Sequence, residues 1–169
     1  LSLDLVDKGV VTNQIVLTVG YDKESLADGH YTGEVVCDHY GRKIPKHAHG
    51  TQNLGRHTSS TRKIIDVTMA LFDRIIDKTL LARRLNLTAC NVIREEDIPE
   101  IESYEQISLF DMVEAANADN NAEEKERALQ EAMLLIKHKY GKNAILKGTN
   151  YTEGATARER NRSIGGHKA

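Results

Sequence analysis

Gln14-Ile15-Val16-Leu17-Thr18-Val19-Gly20-Tyr21-Asp22 alternates without a break, with Ile15, Leu17, Val19 and Tyr21 on one side and Gln14, Thr18 and Asp22 on the other. A period of two marks a half-buried strand, because successive side chains leave a pleated backbone on opposite faces. Upstream, Leu1, Leu5 and Val6 with Asp4 and Asp7 opposite read as the last turns of an amphipathic helix. Gly9 is placed to end it, since glycine takes positive φ at little cost. Downstream, residues 23–50 are polar and glycine-punctuated, with Pro45 and a short 34–39 segment, a loop or an irregular hairpin. Residues 52–58 suit a second strand, and Ser59 or Ser60 an N-cap. In the helix that follows, Ile64, Thr68, Leu71 and Ile75 form one line and Ile65, Met69, Phe72 and Ile76 the next, which predicts a broad buried stripe. Residues 80–94 predict another strand, with Leu81, Leu85, Leu87, Ala89 and Ile93 on one face and Arg84, Asn86, Thr88 and Cys90 on the other.

Helix end, strand, strand, helix, strand predicts an α+β unit: a mostly antiparallel sheet with helices on one face. The other face of such a sheet meets water, and here it would carry Arg84, Asn86 and Thr88. One helix and a helix stub make a small core, so modest stability is expected, with self-association of the shortened sheet as one way to supplement it.

The chain has 169 residues, enough for one domain with extensions. Its net charge of −2 hides a division. Residues 1–94 carry 13 Lys/Arg against 10 Asp/Glu, residues 95–136 carry 2 against 13, and residues 137–169 carry 8 against 2. A basic head, an acidic linker and a basic tail suit contact with a polyanion at two places and a tether between them. No apolar run approaches the roughly 20 residues that span a bilayer. Two cysteines, Cys37 and Cys90, imply no disulfide framework, and a reducing, cytoplasmic setting is expected. The chain opens on Leu1, inside a helix with no start signal, and reads as a fragment.

Two stretches carry candidate chemistry. Residues 41–65 contain no carboxylate but hold Arg42, Lys43, Lys46, Arg56, Arg62 and Lys63 with His47, His49 and His57. Arg62 and Lys63 fall in the first helical turn, the positive end of the dipole, with Asp73 and Asp77 toward the other end. Each such placement costs about 0.3–1 kcal/mol. A phosphate bound there would turn the penalty into attraction through backbone N–H groups, both cations and the hydroxyls of Thr58, Ser59, Ser60 and Thr61. A serine cap followed by a solvated basic turn fits the same residues. The histidines His39, His47 and His49 admit a small metal-dependent hydrolase as an alternative. However, no Cys or carboxylate stands at a familiar ligand spacing, and exposed loop histidines are the simpler reading.

The second stretch is Gln106-Ile107-Ser108-Leu109-Phe110, behind the acidic run Glu95, Glu96, Asp97, Glu100, Glu102 and Glu105. A forked amide followed by two large apolar side chains is how a short peptide docks into a partner's pocket, and packing on the chain's own core is the other use for them. A flexible tether over residues 95–105 would reach about 18 Å. Beyond it, residues 122–139 predict a helix with Leu129, Met133 and Ile136 on one side, ended by Gly141. From Thr149 onward periodicity disappears, leaving Arg158, Arg160, Arg162 and Lys168 on a basic tail.

The pentapeptide resembles the sliding-clamp-binding motif of bacterial DNA polymerases, with Ile107 in place of the usual leucine. The strand at 14–22, Gly50-Thr51, Leu54-Gly55-Arg56, Thr58-Ser59-Ser60-Thr61-Arg62 and Leu71-Phe72-Asp73-Arg74-Ile75 resemble the C-terminal little-finger domain of bacterial Y-family translesion DNA polymerases. The branch is the UV-damage repair type of the ImpB/MucB/SamB kind, and the tail from Lys139 to Lys168 is similar to its C-terminus. The resemblance implies a truncated little finger over 1–94, an acidic linker carrying the clamp motif over 95–121, a helix over 122–141 and a basic, disordered tail over 142–169. It implies non-sequence-specific binding of template-primer DNA through Arg56, Thr58, Ser59, Ser60, Thr61, Arg62 and Arg84. It also implies clamp docking through Gln106, Ile107, Ser108, Leu109 and Phe110, in an error-prone polymerase of the DNA-damage (SOS) response. The parent would use Mg²⁺; the carboxylate set that two-metal nucleotidyl transfer requires is not found in this chain, so the fragment is expected to be no enzyme.

Overall fold

The structure is a computed structural model that describes residues 1–27, 29–98, 109–164 and 167–168, without the side chains of 109–121, 164 and 167–168. It divides into two compact units, Leu1–Ile107 and Ser108–Ala169.

The first unit is built on the alternating stretch quoted above. Strand β1 runs from Val10 to Tyr21, and Ile15, Leu17, Val19 and Tyr21 on its inner face are 0–4% exposed. It follows helix α1, Ser2–Asp7, which closes on Gly9 at φ +61° with the Gly9 N–H donating to the Val6 carbonyl. The strand starts four residues earlier than the alternation shows, because the register slips between Thr12 and Gln14. Thr12 is fully buried at that bulge, its hydroxyl within reach of the carbonyls of Gln14 and Cys90, to one of which it donates, while it accepts the Gln14 N–H at 3.3 Å. A buried hydroxyl satisfied on both sides lets a polar residue sit where the period breaks.

Strand β1 has a partner on each side, both antiparallel. Residues 23–26 form a turn of 3₁₀ helix, then β2 (Val35–Cys37) and β3 (Lys43–Pro45) make a small hairpin. Strand β4, Ala48–Thr58, pairs with β1, with Leu17 opposite Gly50 and Val19 opposite Ala48. Helix α2, Thr61–Ile75, crosses β4 and β1, burying Ile64 and Leu71. Strand β5, Ala82–Cys90, pairs with the other side of β1 and forms the sheet edge, giving the order β4-β1-β5, with the short β6, Ile93–Arg94, joined to the start of β1. This is the expected α+β arrangement, an antiparallel sheet with helices.

The core is narrower than the predicted stripe. Ile15, Leu17, Val19, Tyr21 and Leu71 form its centre, with Ala48, Leu54, Val67, Phe72, Ile75, Ile76, Leu80 and Leu87 packed around it. Ile65 and Met69 on the second helical line are 44% and 52% exposed, contrary to expectation. Leu81 and Leu85 on the predicted inner face of β5 are 56% and 59% exposed. One 15-residue helix lies over β4 and β1; among the described residues Leu81 and Leu85 fall beyond its footprint, and Ile65 and Met69 are on the part of the helix left open to solvent. Close approach of α2 is set at Gly50, where a Cβ would stand 2.8 Å from Leu71 Cδ1 and 2.9 Å from Ile75 Cγ2. At the far end of the helix, the Asp77 N–H donates to the buried Tyr21 hydroxyl at 2.9 Å, joining α2 to the end of β1.

In the second unit, helix α3 spans Leu109–Tyr140, thirteen residues longer at its start than the predicted 122–141 helix. Met112, Glu114, Ala115, Ala116 and Ala118 are sound helix formers, and the intervening Asp and Asn residues obscured them in the sequence. The tail, expected without regular structure, holds a 3₁₀ turn at Gly148–Tyr151, helix α4 at Ala157–Arg160 and the two-residue strands β7 (Ser163–Ile164) and β8 (His167–Lys168). Asn161 Nδ2 donates to Asn143 Oδ1 at 2.8 Å and Asn143 Nδ2 to the Arg158 carbonyl at 3.2 Å, so side-chain amides tie together a segment that has little apolar content.

Candidate nucleic-acid interface

Two surfaces of the first unit bear on the expected polyanion binding. The first is the start of α2. Ser60 is its N-cap, and its hydroxyl accepts the Lys63 N–H at 3.2 Å. The Thr58 hydroxyl accepts the Ser60 N–H at 3.0 Å, and the Thr61 hydroxyl donates to Ser2 Oγ at 2.9 Å. Thr58, Ser59 and Ser60 are 7–9% exposed. Residues with the chemistry of a phosphate cradle thus close the junction of β4, α1 and α2, and the cap they make is a structural one. The cations remain at the surface to different degrees: Arg62 is exposed, whereas Arg56 and Lys63, like the neutral Thr61, are half-buried. The first turn contains no carboxylate. At the other end, Arg74 occupies the last turn, where the dipole favours it. Asp77 lies beyond the helix, with its carboxylate accepting the Thr79 N–H and hydroxyl at 2.9 and 2.6 Å. Those bonds, the Thr79 hydroxyl first, hold the Asp77 carboxyl below the ordinary aspartate value. The dipole mismatch is therefore confined to the first turn and Asp73.

The second surface is the face of the sheet turned away from α2. Strand pairing lines its side chains into rows: Asn53, Gln14 and Cys90; Thr51, Val16 and Thr88; His49, Thr18 and Asn86; then Gly20 beside Arg84. The rows are stitched by hydrogen bonds. Gln14 Nε2 donates to Asn53 Oδ1 at 2.9 Å, Thr18 Oγ1 bonds His49 Nδ1 at 3.0 Å, and Arg84 Nε donates to Asn86 Oδ1 at 3.2 Å. Gly20 leaves the Arg84 side chain unobstructed, since even an added Cβ there would come only to 3.6 Å from Arg84 Cβ. No carboxylate occurs in these rows. Hydroxyl, amide and guanidinium groups on a flat sheet offer the donors that bind phosphate and sugar oxygens without reading a base edge. Arg84, Asn86 and Thr88 were legible in the sequence as this face. Asn53 fell within the strand expected over 52–58 but without an assigned face, and His49 and Thr51 lay before that strand's expected start; the alternation of His47, Ala48 and His49 was the available signal.

Gln106, Ile107 and Ser108 of the clamp-like stretch lie outside the described residues. Leu109 and Phe110 open α3, with side chains likewise outside them. The hydrolase alternative finds no centre. His39 packs edge-on against Tyr40 at the β2–β3 tip, and the His47 and His49 rings stand nearly perpendicular, with centroids 6.4 Å apart. Among the described residues no group of three or more His, Cys, Asp or Glu could hold a metal ion. No helix among the described residues is long and apolar enough to cross a membrane, and Cys37 and Cys90 are both free thiols.

No family model matches the chain, and no solved structure matches it. Among curated proteins it is similar to the "Putative UV-damage repair protein UvrX" of Bacillus subtilis strain 168, with 31% identity over 160 residues. The match covers 94% of this chain and 30% of that protein, so the chain spans about a third of the relative's length.

Proposed function

We propose that this chain is the non-catalytic, DNA-backbone-binding and clamp-docking part of a DNA-repair polymerase of the Y-family translesion type. The observation that carries the reading is the set of sheet-face rows without carboxylates, from Gln14 to the Gly20–Arg84 row, on a chain whose similarity to a UV-damage repair protein runs over nearly all its length. The first unit serves as a truncated little finger lying along template-primer DNA. Arg84 and the polar rows meet the backbone, with Arg62 and Arg56 adding charge from the α2 side. The buried Thr58, Ser59 and Ser60 hold the helix start in place rather than touch phosphate. Residues Gln106, Ile107, Ser108, Leu109 and Phe110 bind a bacterial sliding clamp, and tethering the two weak sites raises the local concentration of each for the other. Nucleotidyl transfer and its Mg²⁺ belong to a catalytic portion of the parent polymerase.

Binding of a duplex by the 169-residue chain should weaken steeply with salt and vary little with sequence. Replacing Arg62 and Arg84 by Glu should lower the salt slope by about two, one for each phosphate that the variant no longer neutralises. Salt-independent binding, or an unchanged slope in the double variant, removes the DNA reading and leaves a protein-interaction module as the second possibility. Clamp docking has its own test: Leu109→Ala with Phe110→Ala should abolish binding to an immobilised bacterial clamp, and retained binding rejects the motif.

A further inference from the structure

The β2–β3 hairpin ends in five residues, Asp38 to Arg42, that the sheet-face reading does not use. Gly41 takes φ +73° to close the turn, and its N–H donates to the Asp38 carbonyl at 2.9 Å. The Asp38 carboxylate then organises the tip. Oδ1 accepts the N–H groups of Tyr40 and Arg42, both at 2.9 Å, and Oδ2 accepts Arg42 Nε at 2.7 Å and its terminal nitrogen at 2.6 Å. Held in this way, the guanidinium lies over the Tyr40 ring at 5.0 Å from its centroid, and the His39 ring meets the Tyr40 edge at 5.4 Å. Yet the ring they hold is 78% exposed. A lone exposed tyrosine is ordinary. Here two residues and a bidentate pair order an aromatic ring that contributes almost no burial to the fold, so the ordering entropy is not returned by the hydrophobic effect.

The hairpin is also well rooted and basic. Pro45 at its base is fully buried, and the Lys46 N–H donates to the Glu34 carbonyl at 2.8 Å. Arg42 is balanced by Asp38 and Lys46 by Glu34 at 2.6 Å, and Lys43 between them is exposed, with no ion pair among the described residues. Strand β4 begins three residues after β3 ends, opposite Val19 and one residue from the Gly20–Arg84 row, so the hairpin springs from the Arg84 end of the sheet.

We infer that this tip is a stacking platform for an unpaired base of single-stranded DNA, with Tyr40 as the platform, Arg42 backing it and Lys43 meeting the adjoining phosphate. A ring whose face is open to water stacks on any base, without sequence preference, as single-strand binding surfaces do. The inference rests on the DNA reading above and adds a second class of substrate, the unpaired strand beyond a duplex end.

The chain contains no tryptophan, so Tyr40→Trp installs a single fluorescent reporter at the platform. Titrating that variant of the 169-residue chain with an unlabelled oligo(dT) strand should quench the reporter, while a blunt duplex of the same length should not. Tyr40→Ala should weaken single-strand binding about fivefold or more by anisotropy of a labelled strand, and Tyr40→Phe should restore it. An unquenched reporter together with wild-type affinity in Tyr40→Ala overturns the platform, whatever the duplex result. If Arg62→Glu with Arg84→Glu abolishes duplex binding while Tyr40→Ala leaves single-strand affinity unchanged, the platform alone fails. If the unmodified chain binds neither form, both readings fail together.

Discussion

Strands β1 and β5 carry the same kind of alternation and end with opposite fates. Ile15, Leu17, Val19 and Tyr21 of β1 are 0–4% exposed, whereas Leu85, directly across from Val19, is 59% exposed. Period two assigns each side chain to a face; it does not say whether anything covers that face. Strand β1 has a neighbour on each side and α2 above it, while β5 is an edge beyond the helix. Leu85 is therefore a weak contributor to this fold, although its pattern in the sequence matches that of the centre and Leu87, two residues on, still packs against the core.

The contrast is sharpest at Leu71 and Leu85. Leu71→Ala should destabilise the first unit by about 2–5 kcal/mol, since a 1% exposed side chain is removed and a cavity is left. Leu85→Ala should cost under about 0.5 kcal/mol, as expected of a surface substitution. Urea denaturation of both variants compares them directly, and equal losses would mean that the β5 edge is covered in solution. Gly50→Ala should come next, at about 1–3 kcal/mol, because the added methyl meets Leu71 and Ile75 where α2 approaches β4 most closely. A neutral result would show that α2 can lift without loss.

The smallest effect belongs to the periphery. Asp38 is held below the ordinary aspartate value chiefly by the hydrogen bond from the Arg42 side chain, then by the Arg42 N–H. A depressed folded-state value stabilises the tip above the unfolded aspartate value of about 3.9, and that stabilisation is lost as pH falls through the folded value. Acid titration followed by NMR should therefore shift the Tyr40 and Arg42 amides below about pH 4 while the β1 amides stay fixed. Simultaneous loss of both would mean that the hairpin and the core do not open separately.

What residue order alone determined here is local. Alternation over 14–22 implied β1 and its inner face, Gly9 the end of α1, and the Ser59–Ser60 pair the start of α2, because each depends on the stereochemistry of a few neighbouring residues. The polar face of β5 was legible for the same reason. Tertiary structure decided the rest. It made β5 an edge, left Ile65 and Met69 on the solvent side of α2, and brought His49 to Thr18 and Asn53 to Gln14. It also buried Thr58 and Ser60 within the hydrogen bonds of a helix cap. Those outcomes depend on which element lies over which, and a one-dimensional pattern records a side chain's direction but never what stands opposite it.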